Sequence, residues 1–459
     1  MKKISLVLVV VVLIVIGLLP IVGNKFMQKY TEDSLALLSS QGLRLERMQI
    51  NSGYLHTQKH FEFIVEDSSA FVKYINTHSS GQLLTVTQKA LDGTLLGVDL
   101  KYSNLPFAKS IDSDIYLIAL PKIMQDKLKT EDINSYNKFM TFLKEKGVLY
   151  HVEYNLINSK FKSYVKDINR NYHLQNGSEV DIKLRGITFK GEGELLSPKS
   201  LSTNIQTIYF DINQTGVKAL LSLKDFHTRN KFTSFSDYNS FASLSEMRFL
   251  ISGINDDVNI SIKNLETSSN AVLKAEKVHM NSKTKLEAMS LSSKPLSLDV
   301  SKLESNVDVE GMDKDTLEKM STMLNKADDI NAIYQQQEFQ KVVIALLAKG
   351  FRIKAKNISF KSLVVDKTEN LGGLKIDFDL NIKKDANLSI KMQKSPLFFL
   401  SNTMLHTNIK LSSAIYEKLV QNPSMAQMLS SYAKKEKDNV LFKIEFKDDK
   451  LYVNGKAVE

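Results

Sequence analysis

Apolar and polar residues alternate one for one through parts of the distal half of the chain. Leu374, Ile376, Phe378, Leu380 and Ile382 are separated by Lys375, Asp377, Asp379 and Asn381, and a strand turns every second side chain to the same face. The pattern predicts a half-buried antiparallel strand. Phe442, Ile444 and Phe446 repeat it against Lys443, Glu445 and Lys447. Asp448-Asp449-Lys450 then predicts a turn, Leu451-Tyr452-Val453 a return strand, and Asn454-Gly455 another turn. Runs at Ile205–Ile212, Val258–Ile262, Val272–Met280 and Leu296–Val300 predict a meander of short strands through the middle. With 7 Pro in the chain, extensive sheet is permitted.

Helical periodicity falls between these runs, at Phe26–Ser40, Lys122–Lys146, Lys314–Lys349 with a break near Asp328-Asp329, and Ser412–Lys437 with a break at Pro423. Three of the helical stretches lead through glycine into a strand: Gly42 before Leu43, Gly147 before Leu149, and Gly350 before Phe351. Glycine just past a helix supplies the left-handed residue that closes it. The second and third of these units share an approximate order of residues, which reuse of a generic helix cap explains better than internal duplication. The fold class expected is α+β, elongated and rich in antiparallel sheet, with helices interspersed. Four regions are expected: 1–23, 24–160 (helix and strand), 161–310 (central antiparallel sheet) and 311–459 (helix plus antiparallel sheet).

The first of these regions is of a different kind. Met1-Lys2-Lys3 precedes an uncharged run from Ile4 to Val22, long enough at 1.5 Å per residue to span a hydrocarbon core of about 30 Å. A removable signal peptide has a shorter apolar region, of about 7–15 residues, and a small-x-small cleavage site. Length and the absence of Ala-x-Ala therefore favour an uncleaved signal anchor over cleavage near Gly23. No later apolar run is comparable, so everything after Asn24 is expected on one side of the membrane, exported, as a water-soluble body.

Composition narrows the chemistry. The chain has 459 residues and no Cys, which excludes disulfides, thiolate nucleophiles and Cys-ligated metals. The net charge of +10 suits anionic surfaces, and after export lipid headgroups are the relevant ones; nucleic acid is not an expected partner. A Lys-rich solvated surface accounts for the same charge without any partner. His56 and His60 have the spacing of two metal ligands on a helix, but Lys59 adjoins His60 and the following Phe61-Glu62-Phe63 reads as strand, so no metal site is expected. His78, His151, His173, His227, His279 and His406 share no signature. No nucleophile elbow, P-loop or dinucleotide fingerprint occurs. The glycines from Gly186 to Gly193 flank an alternating strand, and Ser-x-x-Lys recurs too often to be a motif. Neither catalytic residues nor a cofactor are expected.

Asp211-Ile212-Asn213-Gln214-Thr215, Asp257-Val258-Asn259-Ile260-Ser261 and Asp385-Ala386-Asn387-Leu388-Ser389 each fit the extended acid-x-Asn-x-Ser/Thr acceptor of bacterial N-glycosylation. Asn213, Asn259 and Asn387 are thus candidate modification sites, with coincidence in an Asn- and Ser-rich chain as the alternative.

The Lys2-Lys3 start with its apolar run, the following helical stretch containing Tyr30, Asn51-Ser52-Gly53-Tyr54-Leu55, and the closing Leu451-Tyr452-Val453-Asn454-Gly455-Lys456 together resemble the YdgA-like family of bacterial envelope proteins. At Tyr54 the basic-Gly-aromatic order typical of that family is not reproduced. The resemblance implies a single-pass inner-membrane protein with its bulk in the periplasm, capable of self-association, and it supplies no catalytic residues. The expected function is a non-enzymatic interaction or scaffold role in the envelope, with lipid contact along an apolar sheet face; partners are membrane lipid through the N-terminal helix and an envelope protein or a second copy. The competing expectation is a hydrolase of cell-envelope polymers, which requires acids or histidines to converge in a cleft.

Overall fold

The structure, a computed structural model, describes residues 39–52, 56–78, 91–103, 110–175, 177–194, 198–234, 236–253, 257–294, 296–325, 336–447 and 449–458. The apolar run at Ile4–Val22, most of the expected helix at Phe26–Ser40 and the expected break at Asp328-Asp329 lie outside them. The described residues are 61% strand and 23% helix, so antiparallel sheet sets the architecture. The chain forms two compact units: residues 1–229 with 247–257, and residues 230–246 with 258–459.

In unit 1 the strands follow one another as an antiparallel meander: β1 (Leu43–Ser52), β2 (His56–Val65), β3 (Leu95–Ser103), β4 (Ser110–Ala119), β5 (Leu149–Asn155) and β6 (Lys160–Val165). β7 (Ile168–His173) continues β6, and pairs with β8 (Glu179–Arg185), as β6 pairs with β9 (Thr188–Gly193). β10 (Pro198–Gln214) runs beside both β9 and β8. Among the described residues the helices α1 (Ser68–His78), α2 (Lys122–Glu131) and α3 (Ile133–Lys144) accompany this sheet. Phe71 and Val72 of α1 and Phe139, Phe142 and Leu143 of α3 join one core with the apolar strand face. That core is dry: Phe61, Val98, Ile115, Leu117 and Val152 are all 0% exposed.

Long strands follow, where the sequence predicted short ones. β11 (Val217–Ser234) and β12 (Asp237–Ser252) contain residues of both units; β13 (Asp257–Lys274) from Val258 on, β14 (Lys277–Ser293) and β15 (Leu296–Asp313) belong to unit 2. The expected strand Val272–Met280 is in fact interrupted: Ala275 and Glu276, at φ 47° and 60°, turn the chain from β13 into β14. Two consecutive left-handed residues are the hallmark of a type I′ hairpin, for which Asn-Gly is the usual signal; Ala-Glu hides it.

Unit 2 continues with α4 (Lys314–Asn325), α5 (Gln337–Lys349), β16 (Phe351–Phe360), β17 (Ser362–Val365), β18 (Glu369–Asn370), β19 (Leu374–Ile382), α6 (Leu388–Lys394), a 3-10 turn (Pro396–Asn402), β20 (Thr403–Ser412), α7 (Ser413–Val420), α8 (Pro423–Tyr432), β21 (Lys434–Glu436), β22 (Asn439–Lys447), β23 (Lys450–Val453) and β24 (Lys456–Ala457). Its main ladder runs β13-β14-β15-β16-β19-β20-β22-β23, antiparallel throughout. The expected break at Pro423 is present, with Asn422 capping α8 and Pro423 in its first turn. The Lys122–Lys146 helix is instead two helices, because Asp132 accepts from the amides of Asn134 and Ser135 and restarts the chain as α3.

The glycine closures divide by mechanism. Gly350 has φ 68° and donates to Leu347 O, ending α5 as anticipated. Between α3 and β5 the left-handed residue is Lys146, at φ 51°. Gly147 is required there for space, since a Cβ would meet the Phe142 ring at 2.1 Å.

Candidate functional site

Two surfaces combine unusual chemistry with access. The first is the face of the unit 1 sheet opposite the helices. Strand pairing sets His60 of β2 opposite Asp99 of β3, Asp99 opposite Asp114 of β4, and Asp114 opposite His151 of β5. Two aspartates directly opposite on neighbouring strands repel, and here each is held by a histidine: His60 Nδ1 donates to Asp99 Oδ1 at 2.6 Å, and His151 Nδ1 to Asp114 Oδ1 at 2.7 Å. Lys146 adds a cation. Its ammonium donates to Asp99, stands 3.7 Å from Asp114 Oδ2, and lies 4.4 Å from the centre of the Tyr116 ring. Gly97, opposite Tyr116, makes room for that ring, because a Cβ there would meet it at 2.5 Å.

These contacts shift the titrations. Partial burial by itself pulls His60 down, but hydrogen bonds to Asp99 and Glu62 outweigh it and raise the pKa above 6.5. For His151 the bond to Asp114 is the largest influence and also raises it. Burial pushes Asp99 up, yet Lys146 and His60 hold it below 3.8. Burial, with the neighbouring Asp99 charge, pushes the Tyr116 phenol upward. An open cleft of about 760 Å³ adjoins this ladder, lined by His60, Asp99, Asp112, Asp114 and His151 together with Gln49, Asn51, Gln58 and Lys101.

Sequence spacing placed His56 and His60 as a potential pair; the structure instead joins His60 to His151, 91 positions away, through the aspartates between them. The signal was present only as Asp99 and Asp114 in alternating strands, and no spacing rule connects four strands. Among the described residues no group of three or more His, Asp or Glu has the arrangement to hold a metal ion.

The second surface is the apolar face of unit 2. One cross-strand row runs Met280, Val309, Ile353, Leu380, Leu405, Phe446, Leu451 through β14, β15, β16, β19, β20, β22 and β23. The next row contains Val307, Ala355, Phe378, Ile444 and Val453. Helix α4 packs at one end of the face, where Leu317 and Met320 meet Val278 and Met312. Helices α7 and α8 pack at the other, where Tyr416 and Leu429 meet Leu411, Val440 and Phe442. Ile353, Leu380, Leu405 and Phe446 belong to neither cluster and remain half-buried, next to Ile382 and Thr403, which are buried where α5 meets β15 and the 3-10 turn meets β20. The reverse face is polar and charge-matched, with Asp308, Lys354, Asp379, His406 and Glu445 in one row and Arg352 bonded to Asp379 through Nε at 2.7 Å.

The candidate asparagines are placed differently from one another. Asn213 is exposed near the end of β10 and Asn387 is exposed at the start of α6, whereas Asn259 lies within β13 with its Oδ1 buried and unpartnered. No described helix is long and apolar enough to cross a membrane. The chain matches no family model, no curated protein and no solved structure.

Proposed function

We propose that this protein is a non-enzymatic component of the bacterial envelope, anchored in the inner membrane by Ile4–Val22 with its bulk in the periplasm, and that unit 2 holds lipid acyl chains along its apolar face. The half-buried strip beside the helical covers carries this reading. Three strand-to-strand steps, from β16 through β19 and β20 to β22, at about 4.8 Å each, give the strip a length of about 14 Å, comparable to one leaflet, half of the roughly 30 Å hydrocarbon thickness of a bilayer. A contiguous, incompletely covered apolar strip marks an interaction surface. The YdgA-like resemblance supports the same setting, and the +10 charge suits anionic headgroups.

The test is lipid recovery. The full chain, purified in mild detergent, is compared by mass spectrometry with a control in which residues 1–30 are joined to an unrelated soluble domain. The expected result is at least one phospholipid per chain above the control, reduced severalfold by Leu380→Gln with Leu405→Gln. Lipid equal to the control, or unchanged by those substitutions, refutes the reading.

The cleft of unit 1 favours a second reading, a hydrolase of envelope polymers, because histidines and carboxylates do converge there. It is the weaker of the two: Asp99 and Asp114 are each engaged by a histidine and by Lys146. A hydrolase requires that His60→Ala or His151→Ala abolish turnover of isolated envelope polymer by the purified chain.

A further inference from the structure

We infer that the α7–α8 hairpin is a membrane-docking tip that lays its outer face into the headgroup layer of an anionic bilayer. The inference rests on the lipid-contact reading but concerns a different surface and a different form of lipid, the intact bilayer.

From Leu419 to Ala433 the chain carries no charge, reading Leu-Val-Gln-Asn-Pro-Ser-Met-Ala-Gln-Met-Leu-Ser-Ser-Tyr-Ala. A surface helix in water normally has charged or polar residues on its outer face; that of α8 holds no charge. Its inner residues, Leu429 and Tyr432, pack on the unit 2 sheet cluster. Its outer face mixes Ser424, Gln427, Ser430 and Ser431 with two exposed methionines: Met425 is 41% exposed and Met428 60%, and Leu419 at the end of α7 is 38% exposed. Met425 and Met428, three apart, share one helix face. Unbranched methionine side chains adapt to irregular apolar surroundings, as the boundary between headgroups and acyl chains is.

The C-terminal flank is basic. Lys434, Lys435 and Lys437 follow α8 directly, and Lys456 donates to Ser431 O at its C-terminal end, against Asp438 and Glu436, the latter 2.9 Å from Lys434; on the other flank Glu417 and Lys418 balance. Lysines beside exposed methionines on an uncharged helix suit an anionic lipid surface. This charge complementarity selects the bilayer as occupant; a second copy of the chain would bring the same lysines against one another.

The chain contains no cysteine, so Met428→Cys provides a single labelling position. The full chain, labelled there with an environment-sensitive fluorophore, is reconstituted into vesicles of phosphatidylglycerol and phosphatidylethanolamine, or of phosphatidylcholine alone. Glu276→Cys, on the exposed β13–β14 turn, is the control. In anionic vesicles the Met428 probe is expected to shift blue and to be quenched several-fold more by acyl-chain spin-labelled lipid than the Glu276 probe. Lys434→Glu with Lys435→Glu, or phosphatidylcholine alone, is expected to remove most of that difference. A Met428 probe quenched no more by lipid than the control overturns the inference, as does insertion independent of lipid charge, or disulfide cross-linking of two unlabelled Met428→Cys chains in place of insertion. Lipid recovery from the labelled chain, measured in parallel, reports on the apolar strip separately, so failure of one reading leaves the other standing on its own result.

Discussion

His60 and His151 show how a residue acquires its chemistry from strands far away in sequence. Each is raised above the ordinary 6.5 by an aspartate on a neighbouring strand. A raised folded-state pKa means that the stabilisation is fully present below 6.5 and disappears as the pH climbs through the folded value. The melting temperature of the wild-type protein is therefore expected to fall between pH 6 and pH 9 by more than that of the His60→Gln, His151→Gln variant, as followed by circular dichroism. Equal slopes would show that the ladder is not coupled to folding. Asp313 behaves in the opposite sense. It caps α4 through the Thr316 amide and receives the Lys349 ammonium at 2.6 Å; burial alone would raise it, but these partners bring it down to about 2. Its contribution is present above 3.8 and is lost as the pH falls toward 2. Asp313→Ala is expected to lower stability by about 1 kcal/mol at pH 7, the usual value of an N-cap, with the difference from wild type shrinking in acid denaturation below pH 3.

At the scale of elements, local rules were obeyed even where their sequence signals were absent. Alternation placed Leu374–Ile382 and Phe442–Phe446 correctly, because a single register step would turn every apolar side chain to the wrong face. The turn at Ala275-Glu276 escaped notice because it has neither Asn nor Gly, although both residues stand in the left-handed region. Such conformations cost roughly 1–2 kcal/mol per ordinary residue. Ala275→Asn with Glu276→Gly is accordingly expected to stabilise the β13–β14 hairpin by about 1 kcal/mol or more, measured by urea denaturation; an unchanged midpoint would mean the long ladder, and not the turn, determines the hairpin's stability. Asp132 teaches the converse. Its acidic side chain inside an otherwise helical pattern was a cap, and only the amides of Asn134 and Ser135 reveal it.

Across the whole molecule, two units use the same amphipathic strand pattern to different ends. In unit 1 helices α1 and α3 complete the core, and Ile115 is 0% exposed; in unit 2 Ile353 occupies an equivalent apolar position in its strand and remains half-buried. Ile115→Ala is expected to cost about 2–5 kcal/mol, as for a closed core, and Ile353→Ala less than half as much, provided no lipid is bound. Equal costs would show that the unit 2 strip is filled by the protein itself. The sequence alone determined the antiparallel, sheet-rich α+β character, the apolar N-terminal run and several strand faces, because period and length are local properties of a chain. Only the tertiary structure decided which apolar face is fully covered and which is covered in part, and which histidines meet which aspartates. Those outcomes depend on pairing between strands tens of residues apart and on where helices pack, and neither leaves a mark on the spacing of residues along the chain.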